Sequence, residues 1–107
     1  MLVEQRTYTT HPGKWREYLA LYEEKGLAIQ KEILGRMVGY YYTEFGPLNE
    51  IVHLWAYADL NEREQRRGAL AANQQWQSYV REMLPLLLKQ ESKILKPADF
   101  FSPQWQD

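Results

Sequence analysis

The fold is decided by a stretch in the middle of the chain, Arg-Met-Val-Gly-Tyr-Tyr-Tyr-Thr-Glu-Phe (36–45), Gly-Pro-Leu-Asn (46–49) and Glu-Ile-Val-His-Leu-Trp-Ala-Tyr-Ala (50–58). Its outer parts are rich in aromatic and β-branched residues, which favour strands. Between them, Pro47 suits the second position of a turn. The sequence therefore predicts a β-hairpin with strands at 36–45 and 50–58.

Both faces of this predicted hairpin are apolar or aromatic. Side chains alternate between the two faces of a strand. On the first strand, alternation separates Met37, Tyr41 and Phe45 from Val38, Tyr40 and Tyr42. On the second strand, it separates Ile51, His53, Trp55 and Tyr57 from Val52, Leu54 and Ala56. A sheet with one face in water would alternate apolar with polar residues. We therefore expect both faces of the hairpin to be covered.

The segments on either side of the hairpin predict a strand and a helix before it, and a helical region and a strand after it. Apolar residues spaced by three, four and seven indicate helices, and proline, glycine and capping residues indicate their ends. The predicted elements are a strand at 2–9, a helix from Pro12 to Gly35, a helical region from its Asp59 cap to Leu87 with an interruption at Asn73, and a last strand at 88–96.

This order predicts an α+β, ferredoxin-like βαββαβ fold with a four-stranded antiparallel sheet, in a single domain over residues 1–107. Two helices cover only one face of such a sheet. A second copy of the chain is the simplest cover for the other face, which predicts a homodimer in the form of a dimeric α/β barrel. The alternative is that the aromatic tail at 100–105 or a kinked helix covers that face.

Composition restricts the partners and the compartment. The chain has 13 basic and 14 acidic residues, a net charge of −1, and therefore lacks the basic excess that attracts nucleic acid or anionic lipid. No apolar run is long enough to span a membrane, and Glu4 and Arg6 stand where a signal peptide needs apolar residues. With no cysteine, disulfides and thiolate metal sites are excluded. We expect a cytoplasmic protein.

Familiar catalytic and cofactor motifs do not occur in the sequence. His11 and His53 are far apart and lack metal-ligand spacing, and no phosphate-binding loop, dinucleotide fingerprint or nucleophile elbow is found. We therefore predict no metal and no cofactor. Arg63, Arg66 and Arg67 resemble an anion site, but the interspersed acidic residues favour a solvated helix face.

The best polar constellation is expected where the first and third strands pair. The residues predicted to share that face are Arg6, Tyr8, His53, Trp55 and Tyr57. They combine hydrogen-bond donors, a titratable imidazole and aromatic walls, which suits a flat, weakly polar ligand. The alternative is a satisfied polar network at the core of the dimer, with Arg6 paired to Glu4 or Glu91.

The chain resembles the NIPSNAP family from near residue 3 to near residue 103. The resemblance is carried by Glu-Gln-Arg-Thr-Tyr-Thr (4–9), Pro-Gly-Lys (12–14), Gly-Pro-Leu-Asn (46–49), His-Leu-Trp-Ala-Tyr (53–57), Arg-Glu (63–64) and Gln-Glu-Ser-Lys-Ile-Leu (90–95). It implies a dimeric α/β barrel. Animal members of the family are linked to mitochondria and vesicle traffic, whereas this chain lacks their targeting extension and looks like a bacterial single-domain member.

Two functions remain open at this point. The first is a homodimeric binding or interaction module without chemistry of its own. The second is a cofactor-independent small enzyme, similar to a monooxygenase or an isomerase, that acts on a hydrophobic or aromatic compound. In that case His53 would be the acid or base, and Arg6 or a tyrosine would stabilise an oxyanion. Access to His53 in the folded chain discriminates between the two.

Overall fold

A computed structural model describes residues 1–106 of the 107-residue chain. The order of elements is the predicted one, and each of the two helical regions is divided. The bounds are β1 (Leu2–Thr10), α1 (Trp15–Leu21), a π-helical turn (Tyr22–Gly26), α2 (Leu27–Leu34), β2 (Arg36–Tyr42), β3 (Glu50–Tyr57), α3 (Leu60–Ala72), α4 (Gln74–Met83), a 3₁₀ turn (Leu84–Leu86) and β4 (Leu87–Leu95).

The four strands form one antiparallel sheet in the order β2-β3-β1-β4, as the ferredoxin-like fold requires. The central strand β1 places Arg6 opposite His53 of β3 and opposite Ser92 of β4. The α+β fold class and the predicted pairing of the first and third strands are thus confirmed.

The helices cover one face of the sheet. On that face β3 buries every second residue, β1 buries all of its alternating residues except the half-buried Arg6, and the helices bury part of their apolar residues. The buried residues are Leu2, Glu4 and Tyr8 of β1, Ile51, His53, Trp55 and Tyr57 of β3, and Tyr18, Tyr22, Leu34, Leu70, Tyr79 and Met83 of the helical layer. We call this side the helix-covered face and the other side the open face.

A β-bulge in β2 changes the alternation that the sequence predicted. The register shifts between Met37 and Gly39, so that Met37 lies opposite Trp55 and Tyr40 lies opposite His53. The bulge inserts one residue, which returns Tyr40 to the face of Met37. The predicted grouping of Tyr41 with Met37 was therefore wrong. The strand also ends at Tyr42 rather than at residue 45.

The first helix begins later than predicted and contains a π-helical turn. Pro12 lies in a turn that precedes α1, which begins at Trp15. Within the π-helical turn, a Cβ on Gly26 would lie 3.0 Å from the ring of Tyr79. The glycine therefore allows α4 to approach the first helical segment closely.

The second helical region begins and divides at capping residues. The Asp59 carboxylate accepts a hydrogen bond from the backbone N–H of Glu62 at 2.8 Å, which confirms the predicted N-cap. Asn73 ends α3, and its side chain accepts from the backbone N–H of Trp76 at 2.9 Å, which starts α4. After Met83, the chain continues through Pro85 in a 3₁₀ turn, as the proline requires.

The open face is partly covered by the end of the chain. Gln106 pairs with Met37 at the β2 edge, so the segment that follows β4 crosses to the opposite edge of the sheet. Val3 and Ala56 of the open face are buried, whereas Val52 and Leu54 are only half-buried. The tail therefore covers one end of this face and leaves the rest open.

Candidate functional site

The structure brings the five predicted residues together on the helix-covered face. Arg6 and His53 are paired across β1 and β3, and Tyr8 and Trp55 flank them. The Tyr8 ring meets the His53 ring edge-on at 4.8 Å between centroids, and the Arg6 Nε–H donates to the Tyr8 hydroxyl at 2.9 Å. Arg6 also pairs with Glu4 at 3.0 Å, which is one of the two partners that the alternative of a polar network named, and the cluster lies under the helices.

A buried carboxylate, Glu4, is the anchor of this cluster. Its side chain is fully buried and receives Arg63 in a two-pronged contact, at 3.0 Å from Nε and 2.8 Å from Nη2. Arg6 donates to the same carboxylate at 3.0 Å, and the Ser92 hydroxyl donates to it from β4. Burial alone would raise the pKa of Glu4, but Arg63, Ser92 and Arg6 lower that pKa to about 2.

His53 is held in one tautomer by its neighbour. The Trp55 indole N–H donates to Nδ1 of His53 at 2.7 Å, so the imidazole proton resides on Nε2. Tyr40 stacks on the ring at 4.7 Å, and only 1% of the residue is exposed. Burial, followed by the charges of Arg6 and Arg67, lowers the pKa of His53 to about 3. The imidazole is therefore neutral at pH 7.

This geometry does not suit His53 as a general acid or base. A base at neutral pH needs a pKa near 7 and contact with the reacting group. Nδ1 is occupied by Trp55, and Tyr8 and Tyr40 pack against the ring. His53 does not line any of four cavities described among residues 1–106, although Tyr40 lines one of them. The requirement that the enzyme hypothesis placed on His53 is therefore not met.

The arginines of α3 turn inward, against expectation. Arg63 binds Glu4, Arg66 donates to the backbone oxygen of Ile33 at 3.1 Å, and Arg67 buries its Nη1 atom. The prediction of a solvated helix face was wrong for these three residues. Positions 63 and 67 are one helical turn apart and lie on the same face of α3, which packs towards the sheet.

Three buried polar atoms of the cluster have no hydrogen-bond partner among residues 1–106. They are Nε2 of His53, the hydroxyl of Tyr57 and Nη1 of Arg67. The Arg67 charge lies close enough to lower the pKa of both other groups, although burial and Glu4 raise the pKa of Tyr57 overall, to about 12. Buried polar groups are normally paired, so this set is unusual for a purely structural core.

The cluster adjoins an uncovered strand. Gln90, Ser92 and Ile94 lie on the helix-covered side of β4, yet all three are exposed because the helices do not extend over this edge of the sheet. We call these three residues the β4 shelf. Since Ser92 hydrogen-bonds Glu4, the β4 shelf leads directly to the buried arginines.

Sequence reasoning named Glu4 only as one of two partners for Arg6, and it missed Tyr40, Arg63, Arg67 and Ser92 as members of the site. The signal for Glu4 was its place on the strand face of Leu2 and Tyr8, where a carboxylate needs cationic partners. The signal for Arg63 and Arg67 was their spacing of four on a helix that must cover this face. Tyr40 had no usable signal, because the bulge that turns it inward depends on the pairing of β2 with β3.

Neither a membrane helix nor a metal cluster is found in the part of the chain that the structure describes. None of its helices is long and apolar enough to cross a bilayer. Within residues 1–106, no group of three or more His, Asp or Glu side chains is placed to hold a metal ion.

The four-stranded antiparallel sheet with helices on one face places the chain in the class of small ferredoxin-like α+β domains. The NIPSNAP family profile matches residues 3–103, and the chain belongs to the NIPSNAP family. A NipSnap homologue from Dictyostelium discoideum is 39% identical over 94 residues, which cover 88% of this chain and 41% of that protein. This chain therefore spans about two fifths of the length of that relative.

Solved structures extend the comparison. A NIPSNAP family protein of unknown function from Agrobacterium tumefaciens is 42% identical, with a TM-score of 0.94 over 97% of this chain and 94% of the other. A putative antibiotic biosynthesis monooxygenase from Nitrosomonas europaea has a TM-score of 0.67 over 91% of this chain and 98% of the other, at 9% identity. At that identity, the second comparison shows a shared fold alone.

The role of Glu4 is tested by Glu4→Gln, with Glu91→Gln as the matched control. We expect Glu4→Gln to lower the free energy of unfolding by about 3 kcal/mol, because two arginines lose their buried counter-charge. Glu91 is exposed and, among residues 1–106, forms a salt bridge with Lys89 alone, so its substitution should cost less than about 0.5 kcal/mol. Urea unfolding at fixed protein concentration measures both values. If both variants lower the free energy of unfolding by the same amount, Glu4 is not the anchor of the cluster.

Burial of neutral His53 predicts a pH-dependent stability. The unfolded histidine takes up a proton near pH 6.5, whereas the folded one does so only near pH 3, so stability falls as the pH drops below 6.5. Between pH 7 and pH 5 we expect a loss of about 2 kcal/mol. His53→Asn, which keeps an acceptor for Trp55, should remove this loss. His11→Gln, at an exposed position, should retain it. Urea unfolding at pH 7, 6 and 5 measures the free energy of unfolding of each variant. If His53→Asn loses as much stability between pH 7 and pH 5 as the unchanged chain does, the prediction is contradicted.

Proposed function

We propose that this NIPSNAP domain is a homodimeric binding module. In the proposed assembly, the open faces of two copies pack together, and each copy binds a small flat ligand where the β4 shelf meets the arginine cluster. The observation that carries the proposal is the uneven cover of the sheet. Helices bury one face around a polar cluster, while the other face keeps apolar side chains half-exposed.

The open face supports a second copy of the chain as its cover. Val52 and Leu54 remain half-buried in its centre, and Tyr41, opposite Val52 on the edge strand β2, is 61% exposed. Apolar patches beyond a few hundred Å² are rare on monomers, and a standard interface buries about 800 Å² per partner. A four-stranded sheet of this length offers an area of that order.

Charge on the open face also supports pairing with an identical surface. The exposed strand β4 carries a row of side chains with alternating charge on this face, Lys89, Glu91 and Lys93. They lie opposite Thr9, Thr7 and Gln5 of β1. Such a row is complementary to an antiparallel copy of itself shifted by two residues. Two-fold interfaces use the same patch on both subunits, so a self-complementary row favours a homodimer.

The ligand site is supported by the cluster rather than by catalytic geometry. The cluster holds buried donors without partners among residues 1–106, and its carboxylate Glu4 accepts from Ser92 on the β4 shelf, where the apolar Ile94 is 44% exposed. Ligand sites combine an apolar surface with a few polar groups that fix orientation. Because neutral His53 is enclosed by aromatic rings, we propose binding without a proton-transfer role for this residue. The cysteine-free composition suits a reducing compartment, and we place the module in the cytoplasm.

The dimer is tested by Leu54→Asp in the open face. The unchanged chain should have a mass near twice 12.8 kDa in solution, and Leu54→Asp should yield a folded monomer because a carboxylate at this interface is left unpaired. The control is Leu60→Asp, at an exposed residue that starts α3, and it should remain dimeric. Light scattering gives the mass and circular dichroism verifies folding. A monomeric parent chain, or a dimeric Leu54→Asp variant, would contradict this arrangement.

Ligand binding is tested by thermal shift with small flat aromatic acids, amides and amines. A ligand at 100 times its Kd stabilises the folded state by about 2.7 kcal/mol, which corresponds to roughly 10 °C in Tm for a domain of this size. Ile94→Lys on the β4 shelf should abolish the shift, whereas Leu84→Lys at another exposed site should keep it. The proposed site is rejected if no compound raises Tm, or if Ile94→Lys leaves the shift intact.

A further inference from the structure

The cluster under the helices carries an excess of positive charge. Glu4 forms salt bridges with both Arg6 and Arg63. Arg67 forms none with the described residues, although its Nη1 atom is buried. Two guanidinium groups thus share the Glu4 carboxylate, and Arg67 has no counter-charge in contact among the described residues. Buried charges are normally paired, so this arrangement favours a further anion.

The unpartnered atoms near Arg67 are suited to donating hydrogen bonds. A guanidinium has no acceptor, and the tautomer that Trp55 imposes on His53 leaves Nε2 as a donor. The Tyr57 hydroxyl is able to donate as well. A ligand oxygen that carries negative charge would satisfy such groups, whereas a ligand that offers only donors would not.

We propose that the ligand of this site is a small flat monocarboxylic acid, whose carboxylate binds the Arg67 guanidinium and whose apolar body lies on the β4 shelf against Ile94. This inference rests on the proposed function, that the cluster and the β4 shelf form a ligand site. The planar fork of an arginine matches the two oxygens of one carboxylate. A single unpaired guanidinium beside the negative Glu4 suits a monoanion better than a dianion.

The electrostatics of Arg67 agree with this assignment. Burial and the neighbouring charge of Arg6 lower the pKa of Arg67 by more than Tyr8, Glu4 and Tyr57 raise it. A carboxylate beside it would offset both effects. Arg6 itself is compensated by Glu4, which together with Tyr8 raises its pKa against the effect of burial. An anion that binds next to Arg67 therefore gains more electrostatic binding energy than one that binds next to Arg6.

Benzoate and benzamide form the matched pair of probes on the unaltered protein. The two have the same ring and size, and they differ by one negative charge. We expect benzoate to bind and benzamide to bind at least tenfold more weakly, because a hydrogen-bonded charge pair contributes about tenfold or more to affinity. Titration calorimetry measures both dissociation constants without any substitution that could disturb folding.

The indole N–H signal of Trp55 reports the location of binding. This N–H donates to His53, so a carboxylate that engages the site changes its NMR frequency through the imidazole. Trp105 lies in the tail, and its indole signal should not move. A benzoate titration that shifts Trp55 and leaves Trp105 unchanged supports the proposed site. Shifts confined to other tryptophans place benzoate elsewhere and overturn the inference.

Arg67→Gln and Arg81→Gln remove the same charge at two places. Arg81 is exposed on α4, so its substitution controls for net charge. We expect Arg67→Gln to weaken benzoate binding at least tenfold and Arg81→Gln to change it less than twofold. Arg67→Lys, which keeps the charge and loses the fork, should weaken binding by an intermediate factor. Unchanged benzoate affinity in Arg67→Gln overturns the role of Arg67.

The outcomes separate this inference from the proposed function. Equal binding of benzoate and benzamide, with the Trp55 signal shifted by both, keeps the ligand site and overturns its preference for an acid. If neither benzoate nor benzamide binds, and no compound of the thermal-shift panel raises Tm, both the ligand site and this inference are overturned. If Arg67→Gln does not fold, the comparison of benzoate with benzamide on the unaltered protein still tests whether the site prefers a carboxylate.

Discussion

The burial of one carboxylate determines much of this structure. Glu4 lies on the central strand, under the helices, where an isolated charge would be very costly. Arg6 compensates it from the same strand, Arg63 from α3 and Ser92 from β4. One side chain therefore joins the central strand, an edge strand and the helical layer. The candidate site is formed by the arginines that this carboxylate attracts.

Aromatic packing supplies the other half of the core. Tyr22 stacks on Tyr40 at 4.5 Å between ring centroids, Tyr40 stacks on His53, and the hydroxyls of Tyr18 and Tyr40 lie 2.7 Å apart. The π-helical turn lies in this region, and Gly26 allows the ring of Tyr79 to approach. The tyrosines pack as flat apolar bodies and pair some of their hydroxyls with one another. Tyr40 and Tyr8 pack against His53, and this burial is the main reason why the imidazole is neutral at pH 7.

The fold was largely predictable because local signals agree with it. The hairpin, the Asp59 cap, the Asn73 interruption and the order of elements all follow from patterns within a few residues. The site was predictable only in part. Strand alternation and the pairing of the first and third strands brought Arg6, Tyr8, His53, Trp55 and Tyr57 together correctly. The inward turn of Arg63 and Arg67 was missed, since acidic neighbours in a sequence do not show which helix face meets the sheet.

The sequence by itself determined the fold class, the family and the residues that share one face of β1 and β3, because side-chain alternation and strand order are local or topological rules. Only the tertiary structure decided which face the helices cover, how the bulge in β2 redirects Tyr40, and which arginine is left without a counter-charge. Those features depend on long-range pairing and on the balance of buried charge. Neither can be read from neighbouring positions in the chain.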